Sequence, residues 1–195
     1  MPENDVVKYD FWFTSSSDRA LNFLEDFSSM NKKLGGLVQF TPRYVFWECM
    51  NCDEKYLEND CYGGGKYCAV EPSNANIKGS EIVLEDLRQL CLWEQLSSPE
   101  VNNTVLWWDY IHEVHRTCNS VINVACSRRA HQTLGLKFDD TLKCVRESFT
   151  GSNKESDWKS KNTFNDKIDN EINYWREYGT NIYPSIVVNQ KTYRG

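Results

Sequence analysis

The period of the hydrophobic pattern changes several times along the chain, and each change predicts an element. Val7 to Thr14, VKYDFWFT, is dense in aromatic and β-branched residues and predicts a strand. Ser15, Ser16, Ser17 and Asp18 follow it with helix N-cap chemistry. Ala20, Phe23, Leu24, Phe27, Met30 and Leu34 then recur at helical spacing and predict one apolar face. Gly35-Gly36 ends that helix, because glycine takes the left-handed conformation a helix stop requires. Leu37 to Trp47 predicts a second strand region. Pro42 within it marks an edge or a bulge, since it has no N–H for a central ladder. Right-handed crossover makes these two strands parallel if they share a sheet.

Residues 48 to 80 show neither period. They hold four cysteines, Gly63-Gly64-Gly65 and Pro72, and predict a disulfide-pinned loop rather than a helix. Helical spacing resumes at Glu81, with Val83, Leu84, Leu87, Leu90 and Cys91 on one face. Leu106 to Thr117 aligns Trp107, Tyr110, Ile111 and Val114. Shorter helices are predicted over Ile122 to Leu134, stopped by Gly135, and over Asp139 to Phe149. Residues 151 to 162 are polar and read as a flexible connection. Thr163 to Tyr178 predicts a last helix with a Phe164, Ile168, Ile172 and Trp175 stripe, capped by Gly179. Ile182 to Gly195 reads as two short strands joined by an Asn189-Gln190 turn. Pro184 stands where the first of them begins, costs no ladder bond there, and is a candidate for a cis peptide.

Composition narrows the class. The chain has 195 residues, 40% hydrophobic and 13% aromatic, enough for one ordinary domain with a packed core. A formal charge of -6 and the absence of any Lys/Arg run longer than two argue against nucleic acid as a partner. Eight cysteines in clustered spacing predict disulfides, hence a secretory or lumenal compartment. Reduced core cysteines are the bland rival. Zinc is another, through Cys49, Cys52, Cys61 and Cys68, but the second pair is too widely spaced and no His lies near. No other metal or cofactor is called for. The first ten residues, MPENDVVKYD, are no signal peptide, and no apolar run spans a bilayer. With the cysteine reading, the chain is expected to be a piece of a longer precursor. Asn102-Asn103-Thr104 is a glycosylation sequon.

The order strand, helix, strand, helical block, Pro-strand, turn, strand is an α/β arrangement of the thioredoxin-like type, with residues 48 to 150 inserted as a disulfide-rich loop and helical block in a single domain of residues 1–195. More specifically, the chain resembles the central lumenal domain of plant-type vacuolar sorting receptors. The resemblance rests on FTPRYVFWEC (40–49), GKYCAVEP, EDLRQLC, WWDYI, LGLKFDDTLKC and PSIVVNQKTYRG, which fall in order over nearly the whole chain. A looser likeness, in cysteine spacing and the terminal Pro-strand, is to the gamma-interferon-induced lysosomal thiol reductase. The receptor resemblance implies a type I membrane protein of the Golgi-to-prevacuolar route. Its lumenal part captures soluble cargo through a sorting peptide, beside a protease-associated domain and EGF-like repeats; the membrane is reached only through a helix outside this chain. Two departures matter. Family members commonly carry a cysteine pair in the loop after the first strand, where this chain has Ser15-Ser16-Ser17-Asp18. The family's domain also runs on into a closing helix, so the fold is expected to be truncated there.

That substitution bears on chemistry. A thioredoxin nucleophile gains its low thiol pKa at the N-terminus of the first helix; serine cannot exchange disulfides. Cys49-x-x-Cys52 instead follows the second strand and is trailed by acidic residues, which raise a thiol pKa. A rival alignment makes residues 38 to 47 the strand before a Cys49/Cys52 active site, and gives a lumenal thiol-disulfide oxidoreductase. A structural scaffold module is a third reading. The favoured one is a redox-inactive cargo-binding domain with all cysteines as staples: Cys49 with Cys52, Cys61 with Cys68, Cys91 with Cys118 and Cys126 with Cys144. In thioredoxin-like folds the residue before the cis-proline pairs with extended peptide, so Ser15, Ser16, Ser17, Asp18, Ile182, Tyr183 and Pro184 form the expected docking face. His112 and His115, three apart on one helix, are candidate pH sensors. Trp107 and Trp108 point in different directions on a helix; either both pack, or one stays out to bind peptide.

Overall fold

A computed structural model describes residues 6–49, 51–70, 77–118, 120–151, 154–178 and 181–193. β1 (Val7–Phe13), α1 (Asp18–Leu34) and β2 (Val38–Tyr44) form the expected unit, with β1 and β2 parallel in the register Val7↔Val38 to Phe13↔Tyr44. Ser17 caps α1 by accepting the Ala20 N–H at 3.3 Å, and Gly35 closes it at φ 50°. Pro42 costs β2 nothing. Val45 N–H bonds Phe13 O on β1, while Tyr44 N–H turns outward to Glu171. Alternation therefore points the Pro42 nitrogen outward too, at the outer edge of the sheet.

The segment expected to be an irregular loop contains structure of its own. β3 (Phe46–Trp47), α2 (Glu54–Asp60), β4 (Cys61–Tyr62) and β5 (Tyr67–Ala69) lie within it, the strands forming a sheet in the order β3-β5-β4. Asp53 caps α2 through the Tyr56 N–H at 2.9 Å. Cys61 and Cys68 face each other across β4 and β5 and are bridged there, and Cys49 is bridged to Cys52. Pro72 lies outside the described residues.

α3 (Gly79–Ser97), α4 (Val105–Cys118), α5 (Val124–Thr133) and α6 (Phe138–Ser148) make the helical block. α3 is its axis: Glu85, Asp86, Arg88 and Gln89 are buried along with the predicted apolar face. Two disulfides differ from the expected pairing. Cys91 is joined to Cys144, tying α3 to α6, and Cys118 to Cys126, tying the end of α4 to the first turn of α5. The cause is packing order: α6 lies along α3, whereas only a short turn separates Cys118 from Cys126. Trp107 and Trp108 both pack inward, with ring centroids 5.3 Å apart.

β6 (Phe149–Thr150) and β7 (Phe164–Asn165) pair antiparallel. The connection between them, expected to be flexible over 151–162, is pinned instead; residues 152 and 153 fall outside the described set. Glu155–Lys159 forms a 3-10 turn, and Trp158, 3% exposed, stacks on Phe149 at 4.1 Å. Gly63 and Gly64 N–H groups bond Trp158 O and Lys159 O at 2.8 and 2.9 Å. Gly64 sits at φ 64°, and a Cβ there would meet the Lys161 backbone at 2.9 Å, so this close approach requires glycine. Phe164, expected in the apolar stripe of the last helix, instead lies in β7 and is exposed. α7 (Asp166–Tyr178) begins after Asn165, whose Oδ1 accepts the Ile168 N–H at 3.0 Å. Gly179 lies outside the described residues.

β8 (Ser185–Val188) and β9 (Lys191–Tyr193) complete the main sheet in the order β2-β1-β8-β9, with β8 antiparallel to β1. Asn189 and Gln190, at φ 47° and 64°, make the two-residue turn between them. One sheet face carries Tyr9, Phe11 and Phe13 against α1 and the helical block. The other carries Trp12 and Val187 under the α7 rings, Trp12 lying 5.0 Å from Trp175. Among the described residues, no helix is long and apolar enough to cross a membrane.

Candidate functional site

The loop after β1 is where the thioredoxin-like frame carries its thiols in enzymes; here it carries serines, and it is closed. Ser15 and Ser16 are buried. Asp86, reaching over from α3, accepts the Ser15 N–H at 2.7 Å and the Thr14 hydroxyl at 3.2 Å. Burial pushes the Asp86 carboxyl up to about 7, against the pull of the Ser15 and Thr14 hydrogen bonds. Beside it, Glu85 accepts from Arg88 Nε at 2.9 Å, Gln89 Nε2 at 3.0 Å, Tyr110 OH at 3.0 Å and the Ser127 hydroxyl. His131 extends this hub, its ring nitrogens against Ser127 O and Thr141 Oγ1, and burial lowers its pKa. Ser15 and Ser16 therefore leave the expected docking face. Asp86 holds the Thr14–Ser15 segment inward, and Ser16 Oγ lies 3.5 Å from Thr14 Oγ1.

Ser17 is used as the α1 cap, and Asp18 is exposed in its first turn. The other half of the expected face is open. Ile182, Tyr183 and Pro184 line a groove of about 500 Å³, and the Tyr183–Pro184 peptide is cis. Phe11 and Ile186 of the sheet form its floor, Phe23 and Arg19 of α1 one wall, and Tyr193 of β9 the other. Ile182 is 51% and Tyr193 59% exposed. Pro184 was legible from the sequence, but Arg19, Phe23 and Tyr193 were not. Phe23 counted as core, and the one signal for Arg19 was its position beside the cap.

The histidines do not share this groove. His112 lines a second one, about 900 Å³, between the end of α1, the β2 edge and the helices α3 and α4; its Nε2 is buried with no hydrogen-bond partner. His115 Nδ1 stands 3.7 Å from Glu25 Oε2 of α1. Asn102 is exposed at the rim of the same groove.

All eight cysteines are in disulfides, so the four thiolates of a zinc site are not available. Cys49 packs with Cys61 and Cys68, Tyr56 and Leu57 in a small cluster apart from the main core. At the outer edge of the sheet, Arg43 bridges Asp10 at 3.2 Å and Glu171 at 2.9 Å, and Glu171 also accepts the Tyr44 N–H at 2.8 Å. Burial raises the Glu171 carboxyl to about 7, partly offset by Arg43. This clamp fixes α7 to β2, and no local sequence signal announced it.

Residues 7–195 match the family model for the vacuolar sorting receptor thioredoxin-like domain. The chain belongs to that family. It is 29% identical to vacuolar-sorting receptor 1 of Pisum sativum over 98% of its length and 28% identical to vacuolar-sorting receptor 6 of Arabidopsis thaliana over 98%. It spans about a third of the length of these relatives, 32% in each case. Among solved structures it is similar to the thiol-disulfide exchange protein alpha-DsbA2 from Wolbachia pipientis, with a TM-score of 0.52, 11% identity, and coverage of 99% of this chain and 76% of that one. That likeness shows the thioredoxin-like fold with a helical insertion. The receptor family is the one whose residues this chain shares.

Proposed function

We propose that the chain is a redox-inactive, cargo-binding module of a vacuolar sorting receptor, working in the lumen of the secretory pathway between Golgi and prevacuolar compartment. It acts beside the protease-associated and EGF-like domains of the same receptor, and Asn102 carries an N-linked glycan. The observation that supports this most is the groove at Ile182–Pro184: an open apolar cleft at the start of β8, on a frame whose thiol position holds buried serines. Cargo peptide lies there extended, pairing with the backbone before Pro184 and setting apolar side chains against Phe11, Phe23 and Ile186. No covalent step is involved.

The test is titration calorimetry of the chain with a soluble vacuolar precursor protein, with Tyr193→Asp as the groove variant. Binding that Tyr193→Asp weakens at least tenfold supports the reading; equal binding by both proteins refutes the groove. No binding by either leaves the scaffold role in its place. Rapid labelling of Cys49 at neutral pH under native conditions, or turnover in an insulin-reduction assay, refutes redox inactivity.

A further inference from the structure

The groove is not uniformly apolar. Among the described residues lining it, Arg19 is the only one with a charged side chain. It stands in the first turn of α1, where the helix dipole adds to its positive field. Among the described residues no carboxylate neutralises it, its chain neighbour Asp18 included. Exposed Arg116 and Arg176 are paired with Glu113 and Glu48 at 2.7 Å each, whereas exposed Arg129 and Arg146 have no ion pair among the described residues; what sets Arg19 apart is its place in an apolar groove. A cation left open beside Phe11, Phe23, Ile182, Ile186 and Tyr193 calls for a ligand with an apolar side chain and a carboxylate close together. Among the described residues the outer edge of β9 has no strand partner, so an extended backbone fits beside it.

We infer that the groove selects an extended peptide in which a large apolar residue adjoins a carboxylate, supplied by an aspartate or glutamate side chain or by a free C-terminus. The apolar side chain rests on the stacked Phe11 and Phe23 rings, whose centroids lie 4.9 Å apart, beside Ile182 and Tyr193, and the carboxylate accepts from the Arg19 guanidinium. This rests on the peptide-docking reading above and adds a charge requirement to it.

The test uses four fluorescein-labelled octapeptides in a Gly-Ser background, read by anisotropy on the chain. One holds an internal Leu-Asp, one Leu-Asn, one ends in Leu with a free carboxylate, and one ends in Leu-amide. At least one carboxylate peptide is expected to bind about fivefold or more tightly than its neutral twin, and which one does so names the source. The preference should vanish in Arg19→Gln, persist in Arg19→Lys, and shrink as salt rises from 50 to 500 mM by screening on the scale of the Debye length. Equal affinity within both pairs, or a preference that survives Arg19→Gln, overturns the charge requirement; if Tyr193→Asp still weakens all four, the docking reading stands without it. No binding of any peptide overturns both. A dimer in sedimentation that Tyr193→Asp breaks and no peptide displaces would show a second copy in the groove, and overturns the proposal.

Discussion

Asp86→Asn isolates the strut that closes the serine loop. Asn keeps both contacts in principle, its Oδ1 accepting the Ser15 N–H and its Nδ2 donating to the Thr14 hydroxyl. What it removes is the buried charge. The Asp86 pKa rises from 3.8 to about 7 on folding, chiefly through burial. A folded pKa above the unfolded one means that protonation favours the fold. The gain is fully present below about pH 4 and is lost as pH rises through 7. The gap is about 3 pH units, worth about 4 kcal/mol at about 1.36 kcal/mol per unit. Asp86→Asn should therefore be about 4 kcal/mol more stable than the parent at pH 8 and comparable to it near pH 4. Glu171 works in the same direction as Asp86, and His131, whose pKa burial lowers, works against it as pH falls. Both are common to the two proteins, so the difference between their stabilities removes them. The assay is urea unfolding with disulfides intact, read by tryptophan fluorescence at half-unit steps from pH 4 to 8. A difference that stays flat across that range, or that grows as pH falls, refutes the reasoning.

Replacing Cys91 and Cys144 by alanine opens a link spanning 53 residues, against 8 for Cys118 and Cys126. Chain-entropy arguments give losses of about 4 and about 2.5 kcal/mol, and urea unfolding that ranks the pairs the other way would contradict this. Trp158→Ala should cost about 3–5 kcal/mol and make residues 154–162 the first site of limited proteolysis; a variant as protease-resistant as the parent would show that the ring does not pin that segment. A His112→Ala/His115→Ala variant should flatten the change in cargo affinity between pH 7 and 5. An unchanged slope removes these two residues as the sensor.

The elements that the sequence revealed are those whose signals are local. β1, α1 and β2 each have a full period of apolar positions bounded by a cap, Ser17 at one end and Gly35 at the other. The final hairpin is set by a proline and a two-residue turn that tolerates positive φ. What escaped is tertiary. α2 is only 7 residues long and lies between cysteines that dominate the composition. Glu85, Asp86, Arg88 and Gln89 lie between the apolar positions of α3, yet α4, α5 and α6 wrap it; Glu85, Asp86 and Gln89 are buried with partners from other elements, and Arg88 is paired with Glu85 of its own helix. The predicted disulfides joined neighbours in sequence, while the packing of α6 on α3 brought Cys144 to Cys91. At the site, Pro184 announced itself by its place before a β-branched strand. Arg19 and Tyr193 did not, because an exposed arginine and an edge tyrosine are unremarkable until the fold sets them around one groove.

The measurement that bears most directly on the account is hydrogen–deuterium exchange of the chain with and without saturating cargo peptide. The account predicts slowed exchange confined to Asn181–Ile186, the first turn of α1 and Lys191–Tyr193, with the serine loop already protected in the free protein. Protection that appears instead around His112 and the β2 edge, with Asn181–Ile186 unchanged, would contradict it and move the binding site to the other side of α1.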